Sequence, residues 1–449
     1  MGNRISGLAS GIDPKLVDRL VEAQGIPLQT AKGRKDKVVA EKTEFEKLST
    51  HLNELDTALN GLKLRGDFYK LKVDSSHPDI LEGSVTSGNA MIGNYEFEVR
   101  GLARTEKELA FGFPDKDQTP VGFGYMEIAR EDMEPFELIV EPNATLQDVA
   151  MQINESGAGL RAMVINTKYN PDSFRLLVVS EKSGKEASIN IDADTTFLEF
   201  KEQVTGTNLD VLFEDVPVTD EDNVLDELIE GVVVNLKRSE PGTRVQVQVT
   251  FDLDSTLEGI RGFVDKYNQV VDYVSGQYQE DPETGKPGPL ASDSAVRSVI
   301  RGLQTTIVEG NLGGKEYNIL ADIGIKTNPK TGALDMDDTK VKNALTENYE
   351  AVAKLFIRGE NQAGVAERLA QKLKAFRDPA SGVLRSRIRG LDQVIKNQDE
   401  TIARKEDQLK NKEQTIRRQF SALEGTMANL NSQADFLKAR LGGGGGGQG

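Results

Sequence analysis

Ile388–Leu441 reads IRGLDQVIKNQDETIARKEDQLKNKEQTIRRQFSALEGTMANLNSQADFLKARL, and an apolar residue returns at every seventh place: Ile388, Ile395, Ile402, Leu409, Ile416, Leu423, Leu430 and Leu437. Such spacing keeps one seam of a helix facing a partner. A second row stands near the other end of the chain. Val38, Phe45, Leu52 and Leu59 repeat by seven, and Leu48, Leu55 and Leu62 repeat between them. Both ends therefore require a helix to lie against, and sheet-rich sequence lies between them.

The C-terminal seam changes along its length. From Ile416 apolar steps of four and three alternate through Phe420, Leu423, Met427, Leu430, Ala434, Leu437 and Leu441. Between Ile395 and Leu409 the intervening seam places hold Gln398, Asp399, Lys405 and Glu406. A stripe that thin buries little area, so it depends on neighbouring helices or chains. An intramolecular bundle accounts for part of the N-terminal row; the far C-terminal seam reads as intermolecular. Gly442 to Gly447, then Gln448 and Gly449, read as a flexible tail.

At the start, Ile5, Leu8, Ile12, Leu16, Leu20 and Val21 have helical spacing, interrupted by Gly7, Gly11, Gly25 and Pro27. Asp13-Pro14 has the form of an N-cap followed by proline in the first turn. The expectation is a short helix from Pro14 to Ala23, with the heptads setting in after Pro27 and running to Leu64.

Composition bounds the rest. A chain of 449 residues exceeds what one core serves and predicts three or four domains. A hydrophobic fraction of 37% and a mean hydropathy of −0.44 favour elongated pieces. The net charge of −17 opposes non-specific nucleic-acid binding. Without cysteine there is no disulfide framework, thiol nucleophile or thiolate metal site. No apolar run is long enough to span a bilayer, so no membrane insertion is expected. The N-terminal segment lacks a signal-peptide apolar core, which on its own suggests a cytoplasmic site.

In the middle, period-two alternation at Tyr95, Phe97 and Val99, and at Val245, Val247, Val249 and Phe251, predicts half-buried strands. Further strands are expected at 162–165, 175–179, 189–191 and 232–236, with one helix from Leu146 to Ile153. A long helix follows on Leu257, Ile260, Val264, Tyr267, Val271, Val274 and Tyr278. Beyond the loop 281–289 come helices at 295–308 and 339–356, flanking a strand-and-turn unit at 322–334.

The inventory of chemistry is sparse. His51 and His77, the only histidines, have no second ligand at metal spacing. Between Gln203 and Leu236 there is no Lys, Arg or His, yet Asp210, Glu214, Asp215, Asp220, Glu221, Asp222, Asp226, Glu227 and Glu230 occur. The run lacks the alternating acids and central glycine of a calcium loop, so it reads as a solvated acidic face. Gly310-Asn311-Leu312-Gly313-Gly314-Lys315 lacks Walker spacing, and Gly157-Ala158-Gly159 follows a helix where a dinucleotide loop would follow a strand. No catalytic residue, cofactor or metal site is predicted, although paired carboxylates in a head cleft would raise a hydrolase. Aromatics at Phe111, Phe113, Phe123 and Tyr125 either fill a small core, the favoured reading, or form the contact surface of an adhesin.

Several segments carry a family likeness in one order. These are Ile5-Ser6-Gly7-Leu8-Ala9-Ser10-Gly11-Ile12-Asp13 with Leu16-Val17 and Pro27-Leu28; Gly262-Phe263-Val264-Asp265-Lys266-Tyr267-Asn268; and Leu290, Asp293 and Arg297. Leu320-Ala321-Asp322-Ile323-Gly324-Ile325, then Gly332, Leu334, Met336 and Asp337, follow, and Gln419-Phe420, Met427 and Leu430-Asn431 close the series. Together they resemble the bacterial flagellar filament cap proteins, the FliD family of hook-associated caps. Gln24-Gly25 stands where that family commonly has a Glu-Arg pair. The helix 146–154 with the strands after it also resembles a small module of flagellins and hook-associated proteins.

The resemblance implies an α+β multidomain fold: a coiled-coil or helical-bundle leg from both chain ends, with two β-rich head domains inserted. The expected parts are leg helices at 1–37 and 412–449, flexible when free, and a bundle at 38–66 and 254–411. A β-rich head takes 67–110 and 208–253, and an outer β-rich head takes 111–207. The leg interface is expected at Ile5, Leu8, Ile12, Leu16, Leu20, Ile416, Phe420, Leu423, Met427, Leu430, Leu437 and Leu441. The bundle core is expected at Val38, Phe45, Leu48, Leu52, Leu55, Leu59, Leu62, Ile260, Val264, Tyr267, Val271, Ile388, Ile395, Ile402 and Leu409. It also implies a homo-oligomeric ring, most often pentameric, at the filament tip, where exported flagellin folds and is inserted. Further implied partners are hook-filament junction proteins and a flagellar export chaperone. Export through the flagellar type III apparatus without signal cleavage implies an extracellular site, replacing the cytoplasmic reading.

Overall fold

The computed structural model describes residues 15–130, 133–168, 171–282, 285–310, 316–357 and 363–442. In chain order the elements begin with α1 (Lys15–Lys63), the single turn α2 (Arg65–Phe68), β1 (Leu71–Ser75), β2 (Leu81–Val85), β3 (Gly93–Gly101) and β4 (Lys107–Ala110). Next come β5 (Gly124–Arg130), β6 (Met133–Val140), α3 (Leu146–Glu155), β7 (Leu160–Asn166), β8 (Phe174–Ser180), β9 (Ile189–Asp192) and β10 (Phe200–Val204). They continue with β11 (Leu209–Phe213), β12 (Val216–Asp220), β13 (Val224–Ile229), β14 (Val232–Leu236) and β15 (Val245–Phe251). The chain ends in α4 (Leu253–Tyr278), α5 (Ser294–Val308), β16 (Ile325–Thr327), β17 (Leu334–Met336), α6 (Asp338–Phe356), α7 (Val365–Arg377) and α8 (Val383–Gly442). Among the described residues there are two compact units: one from the stretches up to Lys63 and from Gly259 onward, the other Leu64–Glu258. No described helix is long and apolar enough to cross a membrane.

In the helical unit, the heptad row of α1 is buried where it meets other helices. Phe45, Leu48, Leu52, Leu55, Leu59 and Leu62 are at most 2% exposed. Burial of each contributes about 1.5–3 kcal/mol, so this half of α1 anchors the bundle. The facing side of α4 is equally dry, with Ile260, Phe263, Tyr267 and Val270 fully buried and Val264 and Val271 nearly so. The two helices run antiparallel, since Tyr273 donates to the Glu44 backbone oxygen (2.8 Å) and Lys266 reaches Glu54 (2.9 Å). Burial pushes the Glu44 carboxyl up, but hydrogen bonds from Lys47, Tyr273 and Gln277 outweigh it and leave the group below its ordinary range.

One expectation is corrected here. Instead of a short helix ending near Ala23, α1 is a single helix of 49 residues that contains Pro27. A proline inside a helix removes a hydrogen bond and costs ~3 kcal/mol or more, which argues for a break. Here α8 holds α1 on both sides of it. Lys412 donates to Gln24 (2.9 Å), and Lys32 pairs with Glu406 (2.7 Å). Gly25, read as an interruption, is buried, and a methyl group built on it would stand 3.8 Å from the Leu409 side chain. The sequence reading also passed over α7, whose Val365, Ala366, Leu369 and Leu373 form a short buried row.

The β-rich unit has two separate cores. The five-stranded sheet β1-β15-β3-β11-β12 and the three-stranded sheet β13-β14-β2 enclose one of them. Its members include Phe97, Val99, Leu209, Val211, Val232, Val234, Val245, Val247 and Val249. Phe97, Val99, Val245, Val247 and Val249 obey the alternation read from the sequence, whereas the strand of Leu209 and Val211 was not anticipated. The other core lies within 110–198, between the four-stranded sheet β10-β4-β8-β7, the three-stranded sheet β6-β5-β9, and α3. A capping box starts α3: the Asp148 amide donates to Thr145 Oγ1 (3.4 Å) and the Thr145 amide donates to the Asp148 carboxylate (2.9 Å). Near its end, Asn154 pins β7 by exchanging two 2.8 Å hydrogen bonds with the Ala162 backbone.

Candidate assembly surfaces

Ion pairs set the register of α1 against α8. Arg387 reaches Glu41 (2.6 Å), Lys42 reaches Asp392 (2.7 Å), and Lys35 reaches Asp399 (2.7 Å). The row ends at Arg417 and Asp18 (3.7 Å). From Lys42–Asp392 through Lys35–Asp399 to Asp18–Arg417 one number falls as the other rises, so the helices are antiparallel. Most of these side chains are substantially exposed, so each pair contributes about 0–1 kcal/mol and selects register more than it stabilises. Between the pairs, Val38, Ile388, Ile395, Ile402 and Leu409 are half-buried. The small residues Gly25 and Ala31 are buried in the same seam, together with Val17 at 6% exposure. The bundle-core residues named from the sequence therefore divide in two: those of α4 and the later half of α1 are dry, and those of α8 are half-wet.

Past Arg417, α8 carries its best heptads into solvent. Leu423, Leu430 and Leu437 are 43%, 52% and 56% exposed, while Ile416, Phe420 and Met427 are half-buried. Phe436, which the seam reading missed because it lies off the heptad, is 63% exposed. Of the expected leg residues in the first stretch, Leu20 is exposed and lies off the α1–α8 seam, whose nearby places belong to Val17 and Val21. Ile5, Leu8 and Ile12 lie outside the described residues, as do the side chains of Leu16 and Leu441 and the tail from Gly443.

The motif residues converge elsewhere in the helical unit. Asn268 of α4 donates to the Leu334 oxygen (2.9 Å) and accepts from the Leu334 amide (2.7 Å), clamping β17 as a neighbouring strand would. Tyr267 donates to the oxygen of Gly332, a glycine held at φ +77°. Asp293 caps α5 through the Ala295 amide (2.7 Å) and also meets Arg387 (2.8 Å). Arg387 thus ties α1, α5 and α8 together.

On the β-rich unit the aromatics do not all enter the core. Phe113 does, but Phe111 (50%), Phe123 (67%) and Tyr125 (60%) are exposed. Gly122 (φ +94°) and Gly124 (φ +144°) bend the chain around Phe123, and Tyr125 then faces Ile139 across the β5–β6 ladder on the solvent side. The acidic run forms β11 to β14 with its carboxylates mostly outward. Among the described residues no cluster of three or more His, Cys, Asp or Glu is arranged to hold a metal ion. A different carboxylate group was not anticipated: Glu106 and Glu108 are 4% and 8% exposed, and Glu108 faces Glu202 directly across β4 and β10. Burial first, and then Glu106 and Glu202, push the Glu108 carboxyl up to about 7. Alternate strand positions gave the signal, because Glu108 shares the parity of the core residue Ala110.

Among the described residues, a long helix with an exposed heptad stripe and a β-rich insertion with two cores form an assembly architecture, and the family matches make it that of a flagellar protein. The family model for the C-terminus of flagellar hook-associated protein 2 matches residues 206–432, and that for its N-terminus matches residues 10–106. The chain belongs to the flagellar hook-associated protein 2 family. It is 26% identical to the A-type flagellar hook-associated protein 2 of Pseudomonas aeruginosa, with 97% of each chain covered. It is 22% identical to flagellar hook-associated protein 2 of Escherichia coli K12, with 96% of each covered. Among solved structures, the D1-D2-D3 domains of the flagellar cap protein FliD from Escherichia coli share the fold at a TM-score of 0.63 and 22% identity. That likeness covers 78% of this chain and 99% of the other.

Proposed function

We propose that this chain caps the growing flagellar filament as a homo-oligomeric ring, retaining exported flagellin and promoting its folding and insertion at the tip. The observation that carries the reading, beside family membership, is the α8 stripe past Arg417. Its leucines repeat by seven yet are about half exposed, as suits a helix that docks on a filament end. The working division is into leg helices at 1–37 and 412–449, a bundle at 38–66 and 254–411, an inner head at 67–110 and 208–253, and an outer head at 111–207. Two separate hydrophobic clusters in the β-rich unit support the head division. In this reading the half-wet α1–α8 seam serves contacts that break and re-form as the cap advances. Partners are further copies of the chain, flagellin, hook-filament junction proteins and an export chaperone. The site of action is extracellular, reached without signal cleavage.

Cells lacking this chain should secrete unpolymerised flagellin and carry few or short filaments, and the intact chain should restore them. Labelled protein should then sit at filament tips. Normal filaments in its absence, or label spread along the filament, would overturn the reading.

A further inference from the structure

The helical unit of this acidic chain carries a groove with a basic lining. A groove of about 480 Å³ runs between α5 and α7, lined by Arg297, Arg301, Ser298, Thr305 and Lys372. Gly302 makes it possible, because any β-carbon there would stand 2.7 Å from the Phe376 ring. Arg297, Arg301 and Lys372 are all exposed, and none has an ion-pair partner among the described residues. Arg297 and Arg301 are one helical turn apart, a like-charge spacing that slightly destabilises a helix. Glu309, the carboxylate at the groove's end, lies beside Arg368, which donates to its backbone oxygen (2.7 Å). Among the described residues no carboxylate forms an ion pair with the three cations.

The complementary surface lies on the β-rich unit. Strand β13 is an edge of its sheet, and its register against β14 breaks between Leu225 and Ile229. Asp226 and Glu227 lie in that break, with Glu230 just beyond it. All three are exposed and lack ion-pair partners among the described residues. Adjacent acids on an edge strand oppose pairing with another strand, which leaves recognition to the side chains.

We propose that the Arg297–Arg301–Lys372 groove receives the Asp226–Glu230 strip of a neighbouring copy. A closed ring needs two different surfaces that fit one another, and in a chain of net charge −17 a groove lined by three exposed, unpaired cations is complementary to an exposed, unpaired acidic strip. The inference rests on the ring reading above.

Sedimentation of the full chain across concentration and salt tests it. The wild type should form a discrete oligomer that weakens with salt. Arg297→Glu with Arg301→Glu should weaken association about tenfold or more, as should Asp226→Lys with Glu227→Lys. All four changes together should restore it. Thermal melts of each variant establish that it folds, and Arg297→Gln with Arg301→Gln serves if the reversal does not. A wild type that never self-associates overturns the ring reading and this inference with it. An oligomer unaffected by either reversal, or unrestored by the combination, overturns the groove assignment alone. Retained self-association with lost binding to filament ends would assign the groove to a filament protein instead.

Discussion

Replacing Leu423 and Leu430 with Asp tests whether the exposed α8 stripe is the docking surface. In the subunit the two leucines are 43% and 52% exposed, so docking has about half of each side chain left to bury. At about 1.5–3 kcal/mol for complete burial of one leucine, the two halves together contribute about 1.5–3 kcal/mol to association. Placing two carboxylates in the same contact adds a desolvation cost of a few kcal/mol more, or forces their protonation. The expected loss is on the order of 5 kcal/mol, a several-thousandfold weaker contact. Folding of the subunit should change far less, since substitutions at exposed sites usually shift stability within about 0.5 kcal/mol each. Cells with this variant should export it, leak flagellin and make few filaments, while the purified chain keeps its melting profile. Normal filaments with the variant at their tips would refute the assignment. A large loss of helical signal in the dilute monomer would refute it differently, by showing that the stripe is covered from within.

Two other outcomes follow from burial and charge. The folded-state pKa of Glu108 is raised from 4.5 to about 7, so the folded chain holds its proton more tightly than the unfolded one. The stability this provides is present below about pH 4.5, declines as pH rises, and is gone above about pH 7. Glu108→Gln should flatten that decline in the outer part of the β-rich unit and stabilise it at pH 8 by on the order of 2–3 kcal/mol, measured by melts across pH; unchanged pH profiles would contradict this. Hydrogen exchange should separate the two halves of α1, with amides near Leu52 and Leu59 slowest and those between Val17 and Val38 faster by orders of magnitude. Uniform protection along α1 would show that the distal seam is as firm as the core.

How legible each element was depended on whether a local pattern or a tertiary contact decided it. The strands around Phe97, Val247 and Val234 were readable because every second residue enters one core. So were α4, α5 and α6, whose apolar steps of three and four persist over several turns. Pro27 misled because its cost is local and visible, whereas the support from Leu409, Lys412 and Glu406 comes from almost four hundred residues away. The exposed aromatics were missed for a related reason: positive-φ glycines at 122 and 124 reset the alternation that would otherwise place Phe123 and Tyr125. Glu106 and Glu108 passed unremarked in the sequence and become notable only when Ser180, Val178 and Glu202 are placed beside them across the sheet.

The residues that identify the family differ in kind from those proposed to dock. Asn268 replaces a missing strand neighbour for Leu334, Asp293 caps α5 while holding Arg387, and Gly324 and Gly332 adopt positive φ. Each meets a geometric demand that few other side chains satisfy, so each leaves a recognisable motif. The α8 stripe is held to a weaker demand. Any apolar residue at the right seventh place provides a docking face, and isoleucine, leucine and methionine all occur along it. Ion pairs at the α1–α8 seam are looser still, because exposed lysine and arginine exchange carboxylate partners at little cost. A sequence of this kind therefore states its fold through its hydrogen-bonding pins and its docking only through a period. In the interface proposed above the partner is selected by surface charge, and Arg297, Arg301 and Lys372 become informative only when α5 and α7 bring them to one groove.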